Sequence, residues 1–304
     1  MAREKMKIFG RPGPSLAYLA LAHIAILAIV VALPFGSALA QTPAPWQMGM
    51  QTAHSPVQHG IESLNLLITW IIVIITMFVA GLLAFVVWRY DHKRNPVAGK
   101  LSHHSLLEVA WTAIPVLILV VIAIPSFRLV YFEDRTRDAD LTVKVTGHQW
   151  YWEYTYPDTK GLHFDSYMVH DEDLKSDQKA LRHLAVDNQL VLPAGKNIRI
   201  LTTSGDVIHS FFIPSLGVQR YAIPGRTIET WVNVDKPGDY YGECNQICGT
   251  NHSVMPISIH AVSPEDFKAW LSAAPAKFSN AAIDLPVHVA ATSGPMGVVL
   301  ASEH

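Results

Sequence analysis

Two apolar runs, residues 64–88 and 109–124, constrain this 304-residue chain more than any other feature. The first carries no formal charge, and the second continues through Pro125 to about Phe132 and meets only Arg128 near its far end. About 20 predominantly apolar residues suffice for a helix to cross a bilayer, and both runs qualify. The competing reading, a helix pair buried in a soluble core, is disfavoured by the length of both. Arg89, Lys93, Arg94 and Lys100 lie in the connection. Positive charge marks the cytoplasmic side, so the first helix runs inward and the second outward.

The extreme N-terminus agrees with this topology. Arg3, Lys5, Lys7 and Arg11 precede an apolar stretch at 16–33 and the small residues Ser37, Ala38 and Ala40. That order describes a signal peptide over 1–40, cut after Ala40; a retained anchor is the alternative. Either way the segment 41–63 begins outside the cytoplasm. The hairpin then occupies 64–132, with its cytoplasmic loop near 89–107. Half of the residues are apolar, as expected when membrane helices are averaged with a soluble domain. A net charge of −2 and the lack of a basic cluster give no reason to expect a nucleic-acid partner.

Beyond about Asp138 the period changes. Short β-favouring runs such as Leu141-Thr142-Val143-Lys144-Val145 and Tyr151-Trp152-Glu153-Tyr154 alternate with turn signals at Pro157-Asp158, Pro193-Ala194-Gly195, Pro224-Gly225 and Pro237-Gly238. Strands at this spacing without long helices between them indicate an all-β sandwich or barrel over 133–272. Residues 163–184 read as a long polar loop. Ser263-Pro264-Glu265-Asp266 has the cap, the proline and the acidic first turn of one short helix. The tail at 273–304, rich in Ala, Pro, Ser and Gly, is expected to be mobile.

Both cysteines of the chain fall in one loop, as Cys244-x3-Cys248-x3-His252-x2-Met255. Thiolate, imidazole and thioether together are the donors that copper selects. One Cys with two His and a long axial Met makes a mononuclear site, and a second Cys supplies enough sulfur to bridge two ions. Such a ligand set serves electron transfer rather than hydrolysis. A disulfide or a zinc site are the alternatives. The disulfide leaves His252 and Met255 unexplained, and methionine is a poor zinc ligand. A further histidine must come from outside the loop. His209, in the apolar run Val207-Ile208-His209-Ser210-Phe211-Phe212, is the best placed.

These features resemble subunit II of haem–copper cytochrome c oxidases, from about Ile61 to Leu271. The motifs that carry the likeness are Gly147-His148-Gln149-Trp150-Tyr151-Trp152, Phe164-Asp165-Ser166-Tyr167-Met168, Ala222-Ile223-Pro224-Gly225-Arg226 and the cysteine loop. The resemblance implies a two-helix transmembrane hairpin followed by a cupredoxin-like sandwich. It implies a location in the inner membrane of a bacterium, with the sandwich in the periplasm.

It further implies a binuclear copper centre that receives electrons from cytochrome c and delivers them to a haem-bearing subunit I. Cys244 and Cys248 would bridge the coppers, and His209 and His252 would bind one each. Met255 and the backbone carbonyl of Gln246 would complete the set. By the same likeness, Trp150 is where electrons arrive. Glu108 stands at the proton-uptake entrance, and Asp158, Asp165 and Asp206 steer a basic cytochrome c.

Two positions depart from the family pattern. Many members have Glu where this chain has Gln246, which puts an interface magnesium or manganese ion in doubt. The stretch Gln219-Arg220-Tyr221 lacks the Lys and Asp of many relatives. A quinol oxidase subunit would lack the copper ligands, and a nitrous oxide reductase would lack the hairpin. A copper chaperone would need no Trp150-type aromatic patch.

Overall fold

The computed structural model describes residues 42–43, 46–97, 99–100, 102–134, 138–159, 161–176 and 178–278. The expected signal peptide at 1–40 and residues 279–304 of the expected tail lie outside them. Two helices form the hairpin, α1 (Pro56–Arg89) and α2 (Ser105–Asp134). Helices satisfy all their backbone groups internally, which is what a hydrocarbon environment demands. At 34 residues, α1 starts ahead of its apolar run. Its beginning is fixed chemically. Ser55 accepts a hydrogen bond from the backbone N–H of Gln58 at 3.0 Å, and Pro56 opens the first turn. Gly60 lets the helices close, because a Cβ there would lie 2.7 Å from Leu129 Cδ1.

Ten strands follow. One sheet has the order β3-β2-β1-β5-β8, from Leu162–Ser166, Tyr151–Tyr156, Leu141–His148, Ile198–Ser204 and Ile228–Val232. The other has the order β4-β10-β9-β6-β7, from Leu190–Pro193, Pro256–Val262, Gly238–Cys244, His209–Ile213 and Val218–Ala222. Two pairings, β1 with β5 and β4 with β10, are parallel, and the rest are antiparallel. The inner faces meet in a core of β-branched and aromatic side chains, including Val143, Val145, Trp152, Tyr154, Ile200, Phe211 and Ile259. Side chains of this size each contribute about 1.5–3 kcal/mol when buried.

Two expectations are corrected. The polar stretch at 163–184 is not all loop, because its first residues belong to the edge strand β3, where Leu162, Phe164 and Ser166 point inward. The final helix, α3, is not short; it runs Pro264–Phe278, so regular structure reaches past 273. Ser263 caps it by accepting from the Asp266 N–H at 3.1 Å. Phe278 stacks on Phe164 with ring centroids 4.3 Å apart, and Lys277 donates to Asn188 at 2.9 Å. Those contacts hold the last turn despite Pro275 within it.

The sandwich is bolted to the hairpin at several points. Arg220 on β7 forks to Glu133 at 3.0 Å and Asp134 at 2.5 Å at the end of α2. Trp231 on β8 donates to the Phe132 carbonyl at 3.1 Å. On the other helix, Ser55 donates to the Leu216 carbonyl at 2.7 Å, and His54 exchanges backbone bonds with Ser215 and Asp235.

Candidate metal centre

The cysteine loop begins where β9 ends and finishes where β10 starts. These strands are antiparallel neighbours, so their ends bring Cys244 and Met255 together, and the Cys244 N–H donates to the Met255 carbonyl at 3.1 Å. The loop is thereby closed at its base. Strand β6 lies beside β9 and pairs Phe211 with Cys244, which delivers His209 from the first position of β6. Close approach requires small neighbours: a Cβ on Gly147 would sit 2.8 Å from His209 Cδ2. His209, Cys244, Cys248 and Met255 are all buried.

The donor atoms converge. Cys244 Sγ and Cys248 Sγ are 3.8 Å apart and are not joined. His209 Nδ1 lies 3.9 Å from the first sulfur, and His252 Nδ1 lies 3.6 Å from the second. The Gln246 carbonyl oxygen is 3.3 Å from Cys244 Sγ. Donors of His209, Cys244 and Cys248 lie within 4.8 Å of one another. Two soft sulfurs between two imidazole nitrogens suit copper, and the separated thiols with histidine partners fit it better than a disulfide.

The two thiols differ in acidity. Burial raises the Cys244 thiol, but its bonds with the His209 ring and with backbone groups at Ser210 and Gln246 bring it down to about 7. Cys248 is pushed up to about 12, first by burial and then by the neighbouring Cys244 sulfur. The pair therefore retains a proton near neutrality, which a metal held by both sulfurs must displace.

Asp206, expected as a docking carboxylate, is built into this site. Its side chain accepts from the backbone N–H groups of Gln149 at 2.7 Å and Val207 at 2.6 Å. Its Oδ1 also lies 2.9 Å from His209 Nε2. A neutral His209 thus carries its proton on Nε2 and turns the Nδ1 lone pair toward Cys244. Burial raises Asp206, yet these three bonds outweigh it and hold the carboxyl below its ordinary range.

Gln149 was missed as a site residue. Its side chain donates to the Cys248 carbonyl at 2.8 Å and so ties the β1–β2 turn to the metal loop. Trp150, in the same turn, is half-buried against that loop. A Cβ on Gly249 would meet Trp150 Cζ2 at 3.0 Å, and Gly249 has φ +124, so glycine serves both the fit and the backbone. The only sequence signal for these roles was the Gly147-to-Trp152 motif.

The remaining expected residues lie elsewhere. Asp165 is half-buried on β3, opposite Glu153 on β2. Burial and then the Glu153 charge raise its carboxyl. Asp158 is exposed and accepts from the Thr142 N–H at 2.9 Å, at the start of β1. Trp150 lies beyond the other end of that strand, about 20 Å away. The β1–β2 hairpin accounts for this placement, since an antiparallel partner carries the chain back to where it began. Glu108 lies in the first turn of α2, where Oε1 accepts from the His104 N–H at 3.1 Å and caps the helix.

Fold and site together define a membrane-anchored, cupredoxin-like sandwich with a buried sulfur–imidazole donor cluster. The family model for the periplasmic domain of cytochrome c oxidase subunit II matches residues 141–262, and that for its transmembrane domain matches 43–129. A probable cytochrome c oxidase subunit 2 from Rickettsia bellii is 49% identical over 233 residues, covering 77% of this chain and 86% of its own. Subunit 2 from Oenothera berteroana is 43% identical over 244 residues, 78% of this chain and 94% of its own. The crystal structure of the periplasmic domain of subunit II from Bradyrhizobium japonicum aligns at 45% identity, covering 47% of this chain and 99% of that one, with a TM-score of 0.44. This chain belongs to the cytochrome c oxidase subunit II family. It is a subunit of a respiratory oxidase, a membrane protein whose β domain lies outside the cytoplasm.

Proposed function

We propose that this chain takes electrons from cytochrome c at a binuclear copper centre and passes them to haem in subunit I, where oxygen is reduced to water with proton pumping. The observation that carries the reading is the pair of buried, unjoined sulfurs 3.8 Å apart, each flanked by an imidazole Nδ1. Cys244, Cys248, His209 and His252 would hold the copper, with Met255 and the Gln246 carbonyl as weaker ligands. Copper bound there supplies reversible one-electron transfer. Strands β6, β9 and β10 fix the donors in place, so little in the protein needs to rearrange as charge changes. The buried setting excludes water from the sulfurs, and Asp206 orients His209.

Trp150, packed on the metal loop, is assigned as the residue where electrons arrive. Asp158, Asp165 and Asp206 are assigned as steering carboxylates, and Asp206 acts on His209 as well. Glu108 is assigned to the proton-uptake entrance of the partner, a role its position at the cytoplasmic end of α2 supports. Gln246 offers a neutral amide where many family members offer a carboxylate, which makes it a weaker ligand for an interface magnesium or manganese ion. The membrane is the bacterial inner membrane, with the copper domain in the periplasm.

Rapid mixing of the purified oxidase complex with reduced cytochrome c tests the reading. Trp150→Phe should slow electron uptake about tenfold or more, about 1.4 kcal/mol of barrier, at unchanged copper content. An unaltered rate would remove Trp150 from the path.

A further inference from the structure

Arg128 is the one charge inside the second apolar run, and the function proposed above gives it no task. It is exposed, and none of the ion pairs among the described residues includes it. The next carboxylates along its helix, Glu133 and Asp134, are both held by Arg220. Its depth follows from the helix. Twenty residues separate it from Glu108, a rise of about 30 Å, which is the thickness of a bilayer's hydrocarbon core. With Glu108 at the cytoplasmic boundary, Arg128 stands at the outer one, level with Gly60 of α1, whose neighbour on α2 is Leu129.

Arg128 borders a groove of about 390 Å³ between the two helices. Leu64, Leu67, Pro125, Leu129 and Phe132 line it, so apart from Arg128 it is largely apolar. The groove runs from Pro56 and Phe132 on the outer side, past Arg128 at the headgroup level, to Leu67 and Pro125 on the inner side. An unpaired guanidinium at this depth needs an anion, and the matching occupant has a phosphate joined to a hydrocarbon chain.

We propose that the outer ends of α1 and α2 form a seat for one outer-leaflet phospholipid. Its phosphodiester is held by Arg128, and an acyl chain fills the groove between the helices. The lipid completes the hairpin surface beside the junction with the sandwich, where Phe132 meets Trp231. Lys at this position would keep the charge but lose the planar two-point grip on phosphate.

Native mass spectrometry of the full-length chain in mild detergent, both alone and within the purified oxidase complex, titrated with dioleoylphosphatidylglycerol, tests this. One lipid should be retained per chain, and dioleoylglycerol, which lacks the phosphate, should not displace it. Arg128→Gln should lower occupancy about tenfold or more, and Arg128→Lys should lower it less. Leu67→Trp, which fills the groove and keeps the arginine, should also reduce retention. No stoichiometric lipid on the wild-type chain, or equal displacement by dioleoylglycerol, overturns the proposal. So does full retention by Arg128→Gln. If Arg128→Gln instead releases subunit I from the complex at unchanged lipid occupancy, the arginine pairs with a protein carboxylate and the lipid seat is refuted. Copper content reports separately on the electron-transfer site.

Discussion

Asp206 touches no metal donor atom, yet it governs how one of the donors presents itself. It accepts from His209 Nε2 and from two backbone N–H groups, so its loss would strand three polar groups at once. Outer partners of this kind are worth roughly 10–100-fold in metal affinity. Asp206→Ala should therefore weaken copper binding by about that factor in a competitive chelator titration, and Asp206→Asn, which keeps an acceptor oxygen, should recover much of it. Equal affinity in all three proteins would reduce Asp206 to a surface carboxylate. The candidate donors in the loop were legible because their spacing is local. Asp206 was visible only as an acidic residue, since its role depends on the Gly205–Ile208 turn that folds it back beneath His209. Where Asp158 lies relative to Trp150 was hidden for a related reason, because the antiparallel return of β2 sets that distance.

At the scale of elements, the hairpin and sandwich are coupled by two different kinds of contact. Arg220 clamps the end of α2 through a charged fork, and its own side chain is only 16% exposed. Arg220→Ala should cost about 1–3 kcal/mol and speed hydrogen exchange around 132–134, while copper content stays unchanged. The segment before α1 is held differently. His54 packs edge-on against Tyr240 with ring centroids 5.4 Å apart. Burial lowers its pKa, opposed by Asp235 and reinforced by Lys236. A histidine whose folded pKa is depressed stabilises the folded form above its unfolded pKa of about 6.5 and loses that support as pH falls below it. Proteolysis of residues 46–54 should accelerate between pH of about 7.5 and about 5, and His54→Phe should flatten that dependence. Invariant cutting across the range would contradict it. The helices themselves were readable from hydropathy and charge, and most strands from alternation. Strand β3 was hidden in a polar stretch, and the length of α3 depends on Phe278 reaching Phe164, a contact no local pattern announces.

At the scale of the whole molecule, the architecture separates the membrane anchor from the sulfur–imidazole cluster. The hairpin fixes the sandwich at the membrane through β7, β8 and the turn before Gly217. The donor cluster is assembled from the opposite end of β6, so contacts at the membrane junction need not disturb it. Topology and the cysteine loop carried this division into the sequence. The register that seats His209 between Gly147 and Cys244 did not, because it arises where two sheets meet. The central claim is that the two sulfurs hold two coppers as one electronic unit. Metal analysis combined with electron paramagnetic resonance of the copper-loaded full-length chain tests it most directly. Two coppers per chain sharing one unpaired electron, with that signal lost in Cys244→Ser, is the predicted result. A single localised copper, bound zinc, or a Cys244–Cys248 disulfide that resists loading would contradict it.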